Sequence, residues 1–127
     1  MKILSILFLT SLFLGCTSNE KDEIIGKWEM YKVIQDEQDV TSEHNPYNER
    51  FIIFKSDSSF ETGGRPFGKN LGKYIFNSAD FTLFLDSDAG PEDDSQWKVT
   101  FRGDTMYWQG YGSEWAAGFE LIHVKDK

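Results

Sequence analysis

Short apolar runs with a period of two, separated by turn residues, constrain this chain more than any other feature. In Gln96 to Arg102, for example, Trp97, Val99 and Phe101 point one way while Lys98, Thr100 and Arg102 point the other. A strand with one dry and one wet face reads like this, whereas a helix gathers every third or fourth residue onto one side. Comparable runs cover Ile25 to Ile34, Glu49 to Lys55, Ser59 to Thr62, Leu71 to Phe76, Phe81 to Leu85, Thr105 to Tyr111 and Phe119 to Lys125. In the first of them Trp28, Met30 and Ile34 share a face opposite Lys27, Glu29, Tyr31 and Val33. The run at Phe81 is expected to send Phe81, Leu83 and Leu85 inward, and the run at Glu49 carries apolar residues on both faces. An aromatic content of 16% fits, since flat rings and β-branched side chains suit a pleated, half-buried surface. No stretch sustains helical spacing.

The connections are short and rich in turn formers. Ser56-Asp57-Ser58, Gly63-Gly64-Arg65-Pro66 and Asn77-Ser78-Ala79-Asp80 are breaks, and Gly103-Asp104 is a two-residue hairpin turn with positive φ expected at the glycine. Longer links are the polar loop Gln35 to Pro46, the acidic loop Asp86 to Asp94 and the Gly112 to Ala117 connection. Sequential strands usually pair with their neighbours, and closing the sheet on itself removes exposed edges. The expected fold is therefore all-β, a small antiparallel eight-stranded up-and-down β-barrel, with a two-sheet sandwich as the alternative. At 127 residues the chain holds one such domain.

The N-terminus has a different character. Met1-Lys2 precedes an uncharged apolar run from Ile3 to Gly15, too short to span a bilayer but laid out as a signal peptide. Cys16, the only cysteine, follows directly after Leu12-Phe13-Leu14-Gly15. This segment resembles the lipobox of bacterial lipoproteins, which implies cleavage before Cys16 and acylation of its thiol. An ordinary signal peptide is the alternative. Thr17 to Glu23 is polar and acidic and reads as a solvated tether. The expected organisation is a lipoprotein signal peptide at 1–15, a lipidated cysteine and tether at 16–23, and the barrel at 24–127. The implied address is a bacterial cell envelope, with the protein lipid-anchored to the outer membrane and facing the periplasm or the cell surface.

Further residues carry a family resemblance. Ile25-Gly26-Lys27-Trp28 opens the first strand with Gly-x-Trp, and it is followed by Phe51-Ile52-Ile53-Phe54, Gly72-Lys73-Tyr74 and the hairpin Arg102-Gly103-Asp104-Thr105-Met106. Residues 24–125 resemble the abbreviated lipocalin-like domains of bacterial lipoproteins. On physical grounds Gly26 permits a close backbone approach, and Trp28 is a large plug whose indole N–H needs a partner at the closed end. The resemblance implies an arginine stacked on that tryptophan, with Arg102 as the candidate; a solvent-facing arginine at a strand end is the other reading.

Candidate chemistry is sparse. A net charge of −8 repels polyanions, so nucleic acid is not an expected partner. Asp86, Asp88, Glu92, Asp93 and Asp94 bring five carboxylates into nine positions, enough oxygen for calcium. Gly90 and Pro91 stand where an EF-hand requires an oxygen ligand and a glycine, so a solvated acidic loop is the preferred reading. His44 and His123 form no zinc pattern, and no nucleophile elbow or phosphate loop is present. The expectation is a protein without catalytic residues or cofactor. Tyr107, Tyr111 and Trp115 lie in an aromatic, glycine-rich stretch and are candidates for a rim that recognises a small apolar molecule, a glycan or a protein. Trp108 is assigned to the core with Met106. The competing reading is a filled barrel that acts only as an interaction or structural accessory of an envelope complex, and interior volume separates the two.

Overall fold

The computed structural model describes residues 23–126. The signal segment, Cys16 and most of the tether lie outside the described residues. The elements are β1 (Gly26–Gln35), β2 (Gln38–Asp39), the short helix α1 (Thr41–His44), β3 (Phe51–Phe54), β4 (Ser59–Gly63), β5 (Asn70–Asn77), β6 (Thr82–Ser87), β7 (Ser95–Arg102), β8 (Thr105–Tyr111) and β9 (Phe119–Lys125). A single 3-10 turn, Pro91–Asp93, precedes β7.

β1 pairs antiparallel with β3, each strand from β3 to β8 pairs with the next, and β9 returns to β1 over Trp28↔Lys125 through Gln35↔Phe119, while β2 pairs only with the end of β1. The result is a closed eight-stranded up-and-down barrel, made of β1 and β3 to β9. Closure leaves the ladder without a long free edge. The β7–β8 hairpin pairs Arg102 with Thr105 across Gly103, whose φ is +61°, as the Gly-Asp turn requires.

The base of the barrel is filled. Ile24, Trp28, Phe54, Leu83 and Met106 are almost completely buried and belong to one continuous core. Phe101 lies between Trp28 and Phe76 at ring separations of 6.1 and 6.0 Å, while Phe54 meets Tyr74 edge-on at 4.8 Å. The Tyr74 hydroxyl donates to the Lys55 carbonyl at 2.9 Å, so its polar end is satisfied at the bottom turn.

Three sequence expectations are corrected by this architecture. In β1 the register shifts between Met30 and Lys32, and this β-bulge changes the alternation: Val33, opposite Leu121, turns inward, not Ile34. Phe81 sits in the turn before β6 with φ of +59° and is substantially exposed, so only Leu83 and Leu85 of its run face the core. The segment between β1 and β3 is not a plain loop. Gln38–Asp39 pairs with Gln35 and Ile34, then α1 follows, held by Thr41, whose Oγ1 accepts from the Val33 N–H at 2.9 Å.

That excursion has a purpose in the barrel wall. β3 pairs with β1 only along Gly26 to Glu29, so the two strands part towards the upper end. Asn45 fills the parting with a buried side chain. Its Nδ2 donates to the Met30 carbonyl at 2.9 Å, and its Oδ1 accepts from the Glu49 and Arg50 N–H groups at 3.1 Å each. A single amide therefore links both strands and fixes where Arg50 enters the barrel.

Candidate functional site

Trp28 and its surroundings define the closed end. The Trp28 indole N–H donates to the Ile24 carbonyl at 2.8 Å, so the plug is satisfied by the segment that leads into β1. The cation on its ring is Lys125, with Nζ at 4.6 Å from the ring centre and also donating to the Ile25 carbonyl at 2.8 Å. Arg102 does not fill this role: it is exposed, and its guanidinium lies 6.0 Å from Tyr107. The register explains the exchange. Lys125 pairs directly with Trp28 and shares its inward face, whereas Arg102 ends β7 on the outward one. Gly26, at φ +129°, adopts a backbone conformation that side chains rarely tolerate, and a Cβ there would meet Lys125 Cε at 2.8 Å.

The opposite end is open. A cavity of about 610 Å³ occupies the upper half of the barrel, with walls that include Phe60, Leu85, Trp97, Trp108, Trp115 and Leu121. That volume falls in the range of small-molecule sites, and mixed apolar walls with a few polar groups are the usual composition of such sites. The polar groups reaching it include Arg50, Ser87, Ser95 and His123. Ser95 is satisfied by the Trp97 indole N–H at 2.8 Å.

Two interior nitrogens are not. Trp108 Nε1 and His123 Nδ1 are buried with no hydrogen-bond partner among the described residues, and their rings lie 4.5 Å apart. Burial in this apolar interior lowers the His123 pKa to about 3, with the positive charge of Arg50 adding to the effect, so the imidazole is neutral at pH 7. Arg50 itself is partly withdrawn from water, which lowers its pKa from the usual arginine value. Its Nη1 donates to the His44 carbonyl at 3.0 Å, and its guanidinium stands 4.5 Å from the Phe67 ring centre. Neither Arg50 nor His123 stood out in the sequence as part of a binding group. Arg50 belongs to no motif, and His123 reads as an isolated histidine in the last strand.

Of the three aromatic rim candidates, one is at the mouth. Trp115 lines the cavity, 46% exposed, and meets Trp97 edge-on at 6.0 Å. Tyr107 and Tyr111 both lie on the outward face of β8, with Tyr107 towards the closed end and Tyr111 under Lys98 Nζ at 5.3 Å. Strand parity decides this, because the buried alternates Met106, Trp108 and Gly110 point in. Gly110 is required where it stands: a Cβ would run into the Ala116 carbonyl oxygen, so the glycine lets the β8–β9 connection fold over the mouth and present Trp115.

The loops around the mouth are tied down by polar contacts. Arg65 grips Glu49 with both ends of its guanidinium, Nε to Oε1 at 3.0 Å and Nη2 to Oε2 at 2.7 Å, which holds the Glu49 carboxyl below its ordinary pKa. In the acidic loop the carboxylates are spread out. Asp86 lies within β6, Asp94 Oδ1 accepts from the Ser87 N–H at 2.8 Å and Asp93 Oδ2 accepts from Asn70 at 3.1 Å. Asp88 and Glu92 are exposed. No group of three acidic, histidine or cysteine side chains converges as a metal site among the described residues.

A closed eight-stranded barrel, plugged at one end and hollow at the other, is the class of protein that fold and site define. A crystal structure of a DUF4847 family protein from Bacteroides vulgatus ATCC 8482 shares this fold, with a TM-score of 0.58 over 85% of this chain and 97% of that one at 12% sequence identity. Identity at that level speaks for the fold alone. No family model matches the sequence, and no curated protein matches it.

Proposed function

We propose that this protein is a lipid-anchored, lipocalin-like binding module of a bacterial cell envelope that takes a small apolar molecule into the open half of its barrel. The observation that carries the reading is the cavity of about 610 Å³ above a filled base. The competing idea of a fully packed accessory barrel fits the base around Trp28 but not the upper half. In this reading the protein is non-catalytic: the barrel holds a ligand and transforms nothing.

Anchoring comes from Cys16, placed after an apolar signal segment and a glycine. The described chain enters the barrel through Glu23 and Ile24 at the plugged end. Residues 17–23 span at most about 25 Å when extended, so an acylated Cys16 would tether the closed base and leave the mouth facing away from the bilayer. The ligand then arrives from the aqueous side. Whether that side is the periplasm or the exterior, the geometry of access is the same.

Two measurements test the two halves. Cys16→Ala should abolish incorporation of a labelled fatty acid and release the protein from the membrane fraction; label retained by the variant, together with membrane attachment, refutes the anchor. Titration of the full chain with the neutral fluorophore N-phenyl-1-naphthylamine should give saturable binding with one site per barrel. A linear, unsaturable response refutes the binding module and returns the packed accessory to first place.

A further inference from the structure

Three polar side chains that line the cavity lack a full complement of partners. Arg50 lines it and forms no ion pair among the described residues, although five such pairs occur elsewhere on the surface. Trp108 Nε1, which can only donate, has no acceptor, and neutral His123 has no partner at Nδ1, where its ring proton can reside. Polar atoms buried without partners are rare and point to a missing complement. Trp108 Nε1 calls for an acceptor, His123 Nδ1 can meet one as the Nδ1–H tautomer, and Arg50 calls for a negative charge.

We infer that the preferred ligand is an organic monocarboxylic acid with an apolar body, its carboxylate bound at Arg50 and its body laid against Phe60, Leu85, Trp97 and Trp115. This rests on the reading of the cavity as a ligand site. The Trp108 and His123 nitrogens are covered by their neighbours, so the guanidinium makes the primary contact. A single charge is favoured over several. Glu92 and Asp93 stand exposed at the same cavity, and the chain as a whole carries −8, so a phosphate or dicarboxylate meets repulsion that one carboxylate, drawn to the partly buried Arg50, largely escapes. Lys69, the other cation lining the cavity, already faces Glu61 at 3.8 Å.

The test compares two ligands that differ only in the head group. Calorimetry of the full chain at pH 7 with 6-phenylhexanoate and 6-phenylhexan-1-ol should show the acid binding tighter by about tenfold or more, the margin typical of a charge-assisted contact. Arg50→Met should erase that preference. Arg102→Met removes the same charge from the outer face near the closed end and should preserve it, and melting curves of both variants establish that they are folded. Equal affinity for acid and alcohol in the wild type overturns the carboxylate assignment while leaving the apolar site intact. A preference that survives in a folded Arg50→Met protein overturns the role of Arg50. Absence of binding by either compound overturns this inference together with the cavity reading beneath it.

Discussion

Trp28→Ala is expected to lower the free energy of unfolding by about 3–5 kcal/mol, the range for removing a large buried aromatic side chain. The indole is 2% exposed and is held from three sides: by its hydrogen bond to Ile24, by Phe101 and by Lys125. Alanine removes the ring and also the anchor for Ile24, itself fully buried, so the N-terminal seal of the barrel loosens with the plug. A domain of this kind commonly has about 5–15 kcal/mol in total, so the loss is a large fraction of it. Trp115→Ala supplies the contrast. That ring is 46% exposed at the mouth, and its removal should leave the melting temperature close to wild type while weakening the apolar probe. Thermal melts of the two variants, run side by side, give the comparison. A Trp28→Ala protein as stable as the parent would remove the plug from the account of the fold.

The strands were legible because each side chain pattern reports directly on a local environment. β8 and β9 were expected at their observed limits, since Gly103-Asp104 and the Gly112 to Ala117 connection bracket unbroken alternation. Closure was legible through strand count and connection length. What local pattern could not reveal were features created by the partner strand. The bulge that turns Val33 inward arises from the β1–β9 register, and nothing in Met30-Tyr31-Lys32-Val33 announces it. Lys125 replaces Arg102 on Trp28 for the same reason, being its cross-strand neighbour. The cavity was harder still to read. The aromatic richness near Trp115 marks one residue of its lining, but Arg50, Trp108 and His123 come from three strands or their approaches and meet only once the barrel closes.

His123 gives the second large effect, visible as acid sensitivity. Its pKa falls from 6.5 to about 3 because burial excludes the charged form and Arg50 adds repulsion. The unfolded chain, by contrast, takes up this proton near pH 6.5. Between those values the unfolded state binds more protons than the folded one, so stability is fully present above pH 6.5 and declines as pH falls towards 3. The accumulated loss is on the order of several kcal/mol, since each pH step across the window adds to it. His123→Leu removes the titrating group and the unpartnered Nδ1 together, with an apolar side chain in an apolar wall, so it should cost little at pH 7. The lowered carboxyl pKa values of Asp39, Glu49 and Asp57 belong to both proteins and cancel in the comparison. Urea denaturation at pH 7, 5.5 and 4 should therefore show the variant gaining steadily on the wild type as the solution is acidified. Parallel stability curves would mean that the imidazole accepts a proton inside the folded barrel, and hence that water reaches it from the cavity.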